Sequence, residues 1–205
     1  MSRNYLAYTL LVFATLCWSG NFIVGKFAYL FEVPPLTLNF LRWASVWLIL
    51  IPFTYKEILN NMNSIKKNWI VISFMGVITI STFNSVVYFA LTYTQVINAV
   101  LVLAAIPAVT IVISSIMKVD KTNIFQLFGL LLSILGIGAI ISNADIQKIT
   151  SLSFNKGDLW MLVCVFTWAI YSTLLKKYKF KFSQFTLIQL MAVSYTHLTL
   201  PTKLA

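Results

Sequence analysis

The stretch NWIVISFMGVITISTFNSVVYFALTYTQVINAVLVLAAIPAVTIVISSIM, residues 68–117, runs for 50 residues without one charged side chain. A helix crossing ~30 Å of hydrocarbon needs roughly 20 apolar residues at 1.5 Å rise each, so this run holds two membrane passes. The turn between them falls where polarity rises, at Thr92-Tyr93-Thr94-Gln95. Three shorter uncharged runs flank it: residues 4–25, 122–144 and 159–175. With 60% hydrophobic and only 10% charged residues and a mean hydropathy of +0.87, the chain has a bilayer for its solvent.

Working outward, apolar runs, proline pairs and charge clusters give six spans and the beginning of a seventh. They cover residues 5–27, 35–54, 68–91, 96–117, 124–142 and 158–175. Pro34-Pro35 restarts the chain after the first span, since proline is tolerated in a first helical turn. Residues 55–67, with Lys56, Glu57, Lys66 and Lys67, read as a polar loop, and Pro107 predicts a kink in the fourth span. No small-residue cleavage site follows the first span, so it reads as retained and not as a secretory signal. With the N-terminus inside, ten basic residues fall in inner segments, namely Arg3, Lys56, Lys66, Lys67, Lys118, Lys121, Lys176, Lys177, Lys179 and Lys181. Only Lys26, Lys148 and Lys156 fall outside. That asymmetry obeys the positive-inside rule and predicts a multi-pass protein of the cell (inner) membrane with a cytoplasmic N-terminus.

Aligned with itself, the chain pairs Trp18-Ser-Gly-Asn-Phe-Ile-Val-Gly-Lys26 with Trp168-Ala-Ile-Tyr-Ser-Thr-Leu-Leu-Lys176. Thr37-Leu38 then matches Thr186-Leu187 after a slip of one residue. Five spans separate the two starts, and an odd number places the second copy upside down. Inverted repeats are a hallmark of secondary carriers with a central site. The phrase Cys17-Trp-Ser-Gly-Asn-Phe22, the stretch Val33-Pro-Pro-Leu-Thr-Leu-Asn-Phe-Leu-Arg42, and Ala90-Leu-Thr-Tyr-Thr-Gln-Val-Ile-Asn-Ala99 with Pro107 downstream resemble the first half of EamA-type drug/metabolite transporters. Gly157-Asp-Leu-Trp160 leading into Trp168 resembles the start of that family's second half. The resemblance implies an all-α, inverted-repeat bundle of ten helices that moves small organic metabolites, of which about six to seven helices stand in this chain. Residues 1–146 are then a first five-helix repeat and 157–192 the start of its inverted mate. Residues 193–205 lose the apolar continuation, resemble translated sequencing-adapter read-through, and are read as a non-native tail. His197, the single histidine, lies there and receives no role.

Carriers place substrate near the midplane, so polar residues within spans are the candidates for substrate binding. Trp18, Asn21 and Gly25 share one face of the first span, either lining a cavity or packing against a neighbour. Ser81, Asn84 and Tyr88 form a longer, more polar stripe on the third span. Trp168 and Tyr171 enter because the repeat pairs Trp168 with Trp18; an aromatic at that depth also serves as core. Arg42 is the one charge well inside a span, about 10 Å below the end marked by Pro35 at helical rise. Its guanidinium either binds a substrate carboxylate, or snorkels outward or pairs with Glu32. Gly129, Ser133, Gly136 and Gly138 make the fifth span a close-packing surface.

Several function classes have no support. The basic residues sit in short segments between spans and form no duplex-binding domain. No GxxxxGK-type loop occurs, and Cys17 and Cys164 lie in separate spans without ligand partners, so neither a cofactor nor a metal is expected. Glu32, Glu57, Asp120, Asp145 and Asp158 are scattered singly, which speaks against an enzyme. The expected partners are a small-molecule substrate and the lipid bilayer, with the oligomeric state open. The function expected is secondary transport, by efflux or exchange, of small organic metabolites such as amino acids or related compounds. The alternatives are a non-transporting membrane partner and a membrane-embedded lipid-modifying enzyme.

Overall fold

The computed structural model describes residues 3–121, 123–141 and 155–203. Asp145 and Lys148 lie outside them. Every regular element among the described residues is helical: α1 (Arg3–Leu30), α2 (Pro35–Asn60), α3 (Met62–Gly76), a π-helical segment (Val77–Phe83), α4 (Asn84–Ala90), α5 (Val96–Leu103), α6 (Ile106–Ile116), α7 (Ile124–Ile141), α8 (Lys156–Lys177) and α9 (Gln184–Lys203). Among the described residues, five stretches are long and apolar enough to cross a membrane: Tyr5–Leu30, Pro35–Asn60, Met62–Ala90, Val96–Ile116 and Lys156–Lys177. The result is an all-α membrane bundle, and exposed apolar side chains such as Phe13, Leu48, Phe128 and Phe166 suit a lipid-facing surface.

Helix ends follow local chemistry. Asn155 and Asp158 close the start of α8 as a capping box, each side chain accepting from the other's backbone N–H. Glu32 and Lys118 take left-handed φ angles of 57° and 54°, the conformation more often supplied by glycine after a helix. At each, the next residue's N–H folds back onto a helix carbonyl, Val33 to Ala28 and Val119 to Ser114, both at 2.8 Å.

Two expectations need correction, and the kink expected at Pro107 in the fourth span is met as a break. The segment read as a polar loop is largely helical: α2 runs to Asn60, the chain breaks only at Asn61, and α3 begins at Met62. Lys, Glu and Leu are good helix formers, and a helix longer than the hydrocarbon carries its charged end into the headgroups. The fourth span is two helices, interrupted at Ala104 and Ala105 just before Pro107, whose ring excludes the hydrogen bond that would reach Leu103. The third span contains a π segment where a continuous α-helix was expected. There the Asn84 N–H reaches back five residues to the Thr79 carbonyl, and Val77, Ile78, Thr79, Ile80 and Thr82 are β-branched and weakly committed to the α form.

Two buried clusters hold the bundle. One joins Phe22, Val87, Tyr88, Leu91, Ala99, Met161 and Val165, hence α1, α4, α5 and α8. The other joins Ile72, Met75, Ile80, Leu187 and Met191, hence α3, the π segment and α9. Polar ties mark the two ends. At one, Lys26 Nζ donates to the Leu91 carbonyl at 2.7 Å, and the Thr94 hydroxyl donates to Asp158 at 2.9 Å. At the other, the Glu57 carboxylate accepts from the Ser183 N–H at 2.8 Å, and Lys176 pairs with Asp120. These ties group residues 26, 94 and 158 at one face and 57, 120, 176 and 183 at the other, as alternating passes require.

Candidate functional site

Between the two clusters lies a cavity of about 560 Å³, within the roughly 300–1,000 Å³ range of small-molecule sites. Its walls come from α1 (Ala14, Cys17, Trp18, Asn21), α2 (Arg42, Trp43), the π segment with the first residue of α4 (Thr79, Ile80, Phe83, Asn84), α8 (Trp168, Tyr171) and α9 (Ile188, Met191). A second hollow, lined by Pro34, Pro35, Leu36, Phe89 and Trp160 among others, holds no ionisable group.

Arg42 is the charged residue of the larger cavity. Contrary to the snorkelling alternative, its guanidinium turns inward and donates to Asn21 Oδ1, Asn84 Oδ1 and the Tyr88 hydroxyl oxygen. The Tyr88 hydroxyl in turn donates to Asn21 Oδ1 at 2.6 Å, and Asn84 Nδ2 donates to the Thr79 carbonyl at 2.8 Å. The guanidinium also lies over the Trp43 and Tyr88 rings, 5.2 and 5.6 Å from their centroids. A charge inside a bilayer is costly, and these neutral oxygens and ring faces replace part of its lost hydration. Below it, Trp168 packs against Trp18 at 5.4 Å, Phe83 at 4.7 Å and Tyr171 at 5.5 Å, ring centre to ring centre. The site therefore joins one guanidinium to an aromatic wall, a combination that suits a small molecule with an acidic end and an apolar body.

Of the eight residues predicted for binding, Trp18, Asn21, Arg42, Asn84, Trp168 and Tyr171 line the cavity, and Tyr88 joins through its bonds to Arg42 and Asn21. Ser81 does not take part; its buried hydroxyl has no partner among the described residues. The predicted Ser81-Asn84-Tyr88 stripe assumed α-helical spacing, and the wider π turn rotates Ser81 away while bringing Thr79 and Phe83 to the wall. Sequence reasoning also missed Asn39, fully buried one turn before Arg42. Its Nδ2 donates to the Ile80 carbonyl at 2.9 Å and the Ser85 hydroxyl at 3.0 Å, tying α2 to the π segment. Its spacing of three from Arg42 was the available signal.

The sequence model of the EamA-like transporter family matches residues 5–142. The chain belongs to that family. Among curated proteins it is similar to "Uncharacterized transporter YyaM" of Bacillus subtilis (strain 168), 28% identical over 135 residues, covering 66% of this chain and 43% of that protein. It is likewise similar to an "Uncharacterized transporter" of Archaeoglobus fulgidus, 28% identical over 186 residues, 90% of this chain and 62% of that protein. The chain thus spans less than two thirds of the length of either relative. No solved structure matches it. As an EamA-like chain with five bilayer-length apolar helices among its described residues, it is a multi-pass membrane protein of a transporter family.

Proposed function

We propose that this EamA-like chain carries the binding half of a secondary transporter that moves small organic metabolites with a carboxylate group, amino acids or related compounds, by efflux or exchange. The observation that supports this most is Arg42. It stands within a bilayer-length helix, points into a cavity of substrate size, and faces aromatic rings from both α1 and α8. A guanidinium matches a carboxylate with two parallel N–H donors, and the aromatic wall takes the apolar remainder. In this reading residues 1–146 form the first five-helix repeat, and residues 157–192 begin an inverted second one. The Trp18 and Trp168 rings, equivalent in the two copies, then meet across the cavity.

We place the protein in the cell (inner) membrane with its N-terminus cytoplasmic. The end holding Glu57, Asp120 and Ser183 carries Lys56, Lys66, Lys67, Lys118, Lys121, Lys176, Lys177, Lys179 and Lys181, against Lys26 and Lys156 at the other. That imbalance supports the orientation. The test is uptake by proteoliposomes across a panel of amino acids and their decarboxylated amines. Arg42→Gln is expected to abolish movement of carboxylate-bearing solutes. Unchanged kinetics in that variant, or equal transport of acid and amine by the wild type, would sink the reading.

A further inference from the structure

From Tyr5 to Ser19, α1 is exposed at every position and touches the bundle through the Trp18–Trp168 ring contact; its buried seat begins near Asn21, with Phe22 and Gly25 buried. Tyr88, on α4, lies under two of these points. Its hydroxyl donates to Asn21 Oδ1 at 2.6 Å. Its ring lies so near Gly25 that a Cβ added there would stand 2.7 Å from Cδ1 and 2.9 Å from Cε1. Asn21 and Gly25 are one helical turn apart, so α1 rests along the length of a single tyrosine. Immediately beyond, Lys26 Nζ donates to the carbonyls of Leu91 at 2.7 Å and Thr94 at 3.2 Å, and the Thr94 hydroxyl donates to Asp158. The Tyr88 hydroxyl also accepts from Arg42 in the cavity. One continuous set of contacts therefore leads from the cavity cation to the closed end of the bundle.

We propose that Tyr88 is the positioning residue through which occupancy of the Arg42 cavity controls the closure of α1 on α4 at the Lys26 end. The thermodynamics follow from competition. With α1 docked, Arg42 is committed to Asn21, Asn84 and Tyr88, and an anionic ligand must displace them. With α1 released, the Asn21 acceptor leaves and the guanidinium is held by fewer groups. An anion consequently binds the released state more tightly, and by linkage its binding favours release. The proposal rests on the transport reading for its purpose, while the closure itself is measurable without any substrate.

The chain supplies its own reporters. Cys17 lines the cavity, while Cys164 is fully buried. The full-length protein in sealed vesicles is treated with a charged, membrane-impermeant methanethiosulfonate applied to one face at a time. Cys17 of the wild type is expected to react from the Lys176 face and slowly from the Lys26 face. Tyr88→Phe keeps the ring and removes the hydroxyl; it should raise the Lys26-face rate about tenfold, the scale of one lost hydrogen bond. Arg42→Gln should do the same, and the double variant should add nothing further, because both act through one contact. Gly25→Ala, which forces the ring aside, should also raise that rate. A Tyr88→Phe rate within about twofold of wild type, beside a raised Gly25→Ala rate, reduces Tyr88 to a packing residue. Additive effects of the two site variants overturn the coupling as well. Labelling of Cys164 in both variants makes the role structural and overturns it too. A protein that transports nothing yet shows the expected labelling loses the transport reading and keeps this one.

Discussion

Replacing Gly157 by alanine should weaken the bundle, and replacing Gly20 by alanine should not, although both glycines lie in helices. The difference is in what a Cβ would meet. At Gly157 it would stand 2.8 Å from the Ala90 carbonyl oxygen, 2.8 Å from Thr94 Cβ and 3.0 Å from Asn155 Oδ1. The Ala90 oxygen cannot rotate aside, since it accepts from the N–H groups of Tyr93 and Thr94 at 2.9 and 3.0 Å and so defines the turn after α4. α8 must retreat instead, which strains the Thr94 to Asp158 and Asn155 to Thr94 hydrogen bonds at 2.9 and 3.3 Å. Overpacking of this kind costs about 1–3 kcal/mol, and two loosened hydrogen bonds raise the total to about 2–4 kcal/mol. At Gly20 nothing lies within 4 Å, and alanine there should gain up to about 1 kcal/mol of helix propensity. At roughly 2–4 °C per kcal/mol for a chain of this size, the two variants should separate by roughly 5–20 °C. Thermal unfolding of the detergent-solubilised protein, followed by loss of the monodisperse peak, reads the difference. Equal melting of Gly157→Ala and Gly20→Ala would mean that α8 does not approach the turn this closely, and the described docking would be wrong.

Other perturbations follow from the same contacts. Glu57→Gln removes the charge that accepts from the Ser183 N–H and from the hydroxyls of Ser183 and Thr186 at the start of α9; faster proteolysis of residues 177–183 is the expected result. Lys176→Gln breaks an ion pair whose side chains are 61% and 39% exposed, so stability should change by less than about 1 kcal/mol, and a larger loss in a thermal melt would contradict the exposure. Pro107→Ala restores an N–H that can reach Leu103 and should fuse α5 and α6, read as slower amide exchange at residues 104–109. Unchanged exchange there would assign the break to packing and not to proline.

The bundle was legible because its signals are long. Fifty uncharged residues from 68 to 117 leave few alternatives to two membrane passes, and charge clusters mark their ends. The candidate site was legible where its residues lie on regular helix: Trp18 and Asn21, three apart on α1, do reach one cavity, and so do Trp168 and Tyr171 on α8. Arg42 stood out because a charge at that depth is expensive. Reading failed where geometry departs from α periodicity or where a partner is remote. Ser81 left the stripe because hydrogen bonds in the π segment span five residues. Asn39 was invisible as a strut because the carbonyl that it bonds, Ile80, lies 41 residues away and is reachable only through that segment.

The π segment also explains why the site sits where it does. A side-chain amide on each flanking helix is spent on its backbone: Asn39 donates to the Ile80 carbonyl and Asn84 to that of Thr79. Both donors use Nδ2. For Asn84 this leaves Oδ1 directed to Arg42, so the amide that steadies the widened turn also orients the guanidinium. The Thr79 carbonyl also accepts from the Asn84 backbone N–H, so Asn84 holds that carbonyl twice and the Arg42 guanidinium once. Asn84→Leu should accordingly remove one acceptor from Arg42 and one donor from Thr79 at once, a larger loss than either bond alone. Asn84→Asp keeps the acceptor and surrenders the donor, but adds a charge that pairs with Arg42 and offsets part of the loss, so it should be less destabilising than Asn84→Leu. If Asn84→Leu matches the wild type in stability, the amide has no part in holding the turn, and the link between the π segment and Arg42 fails.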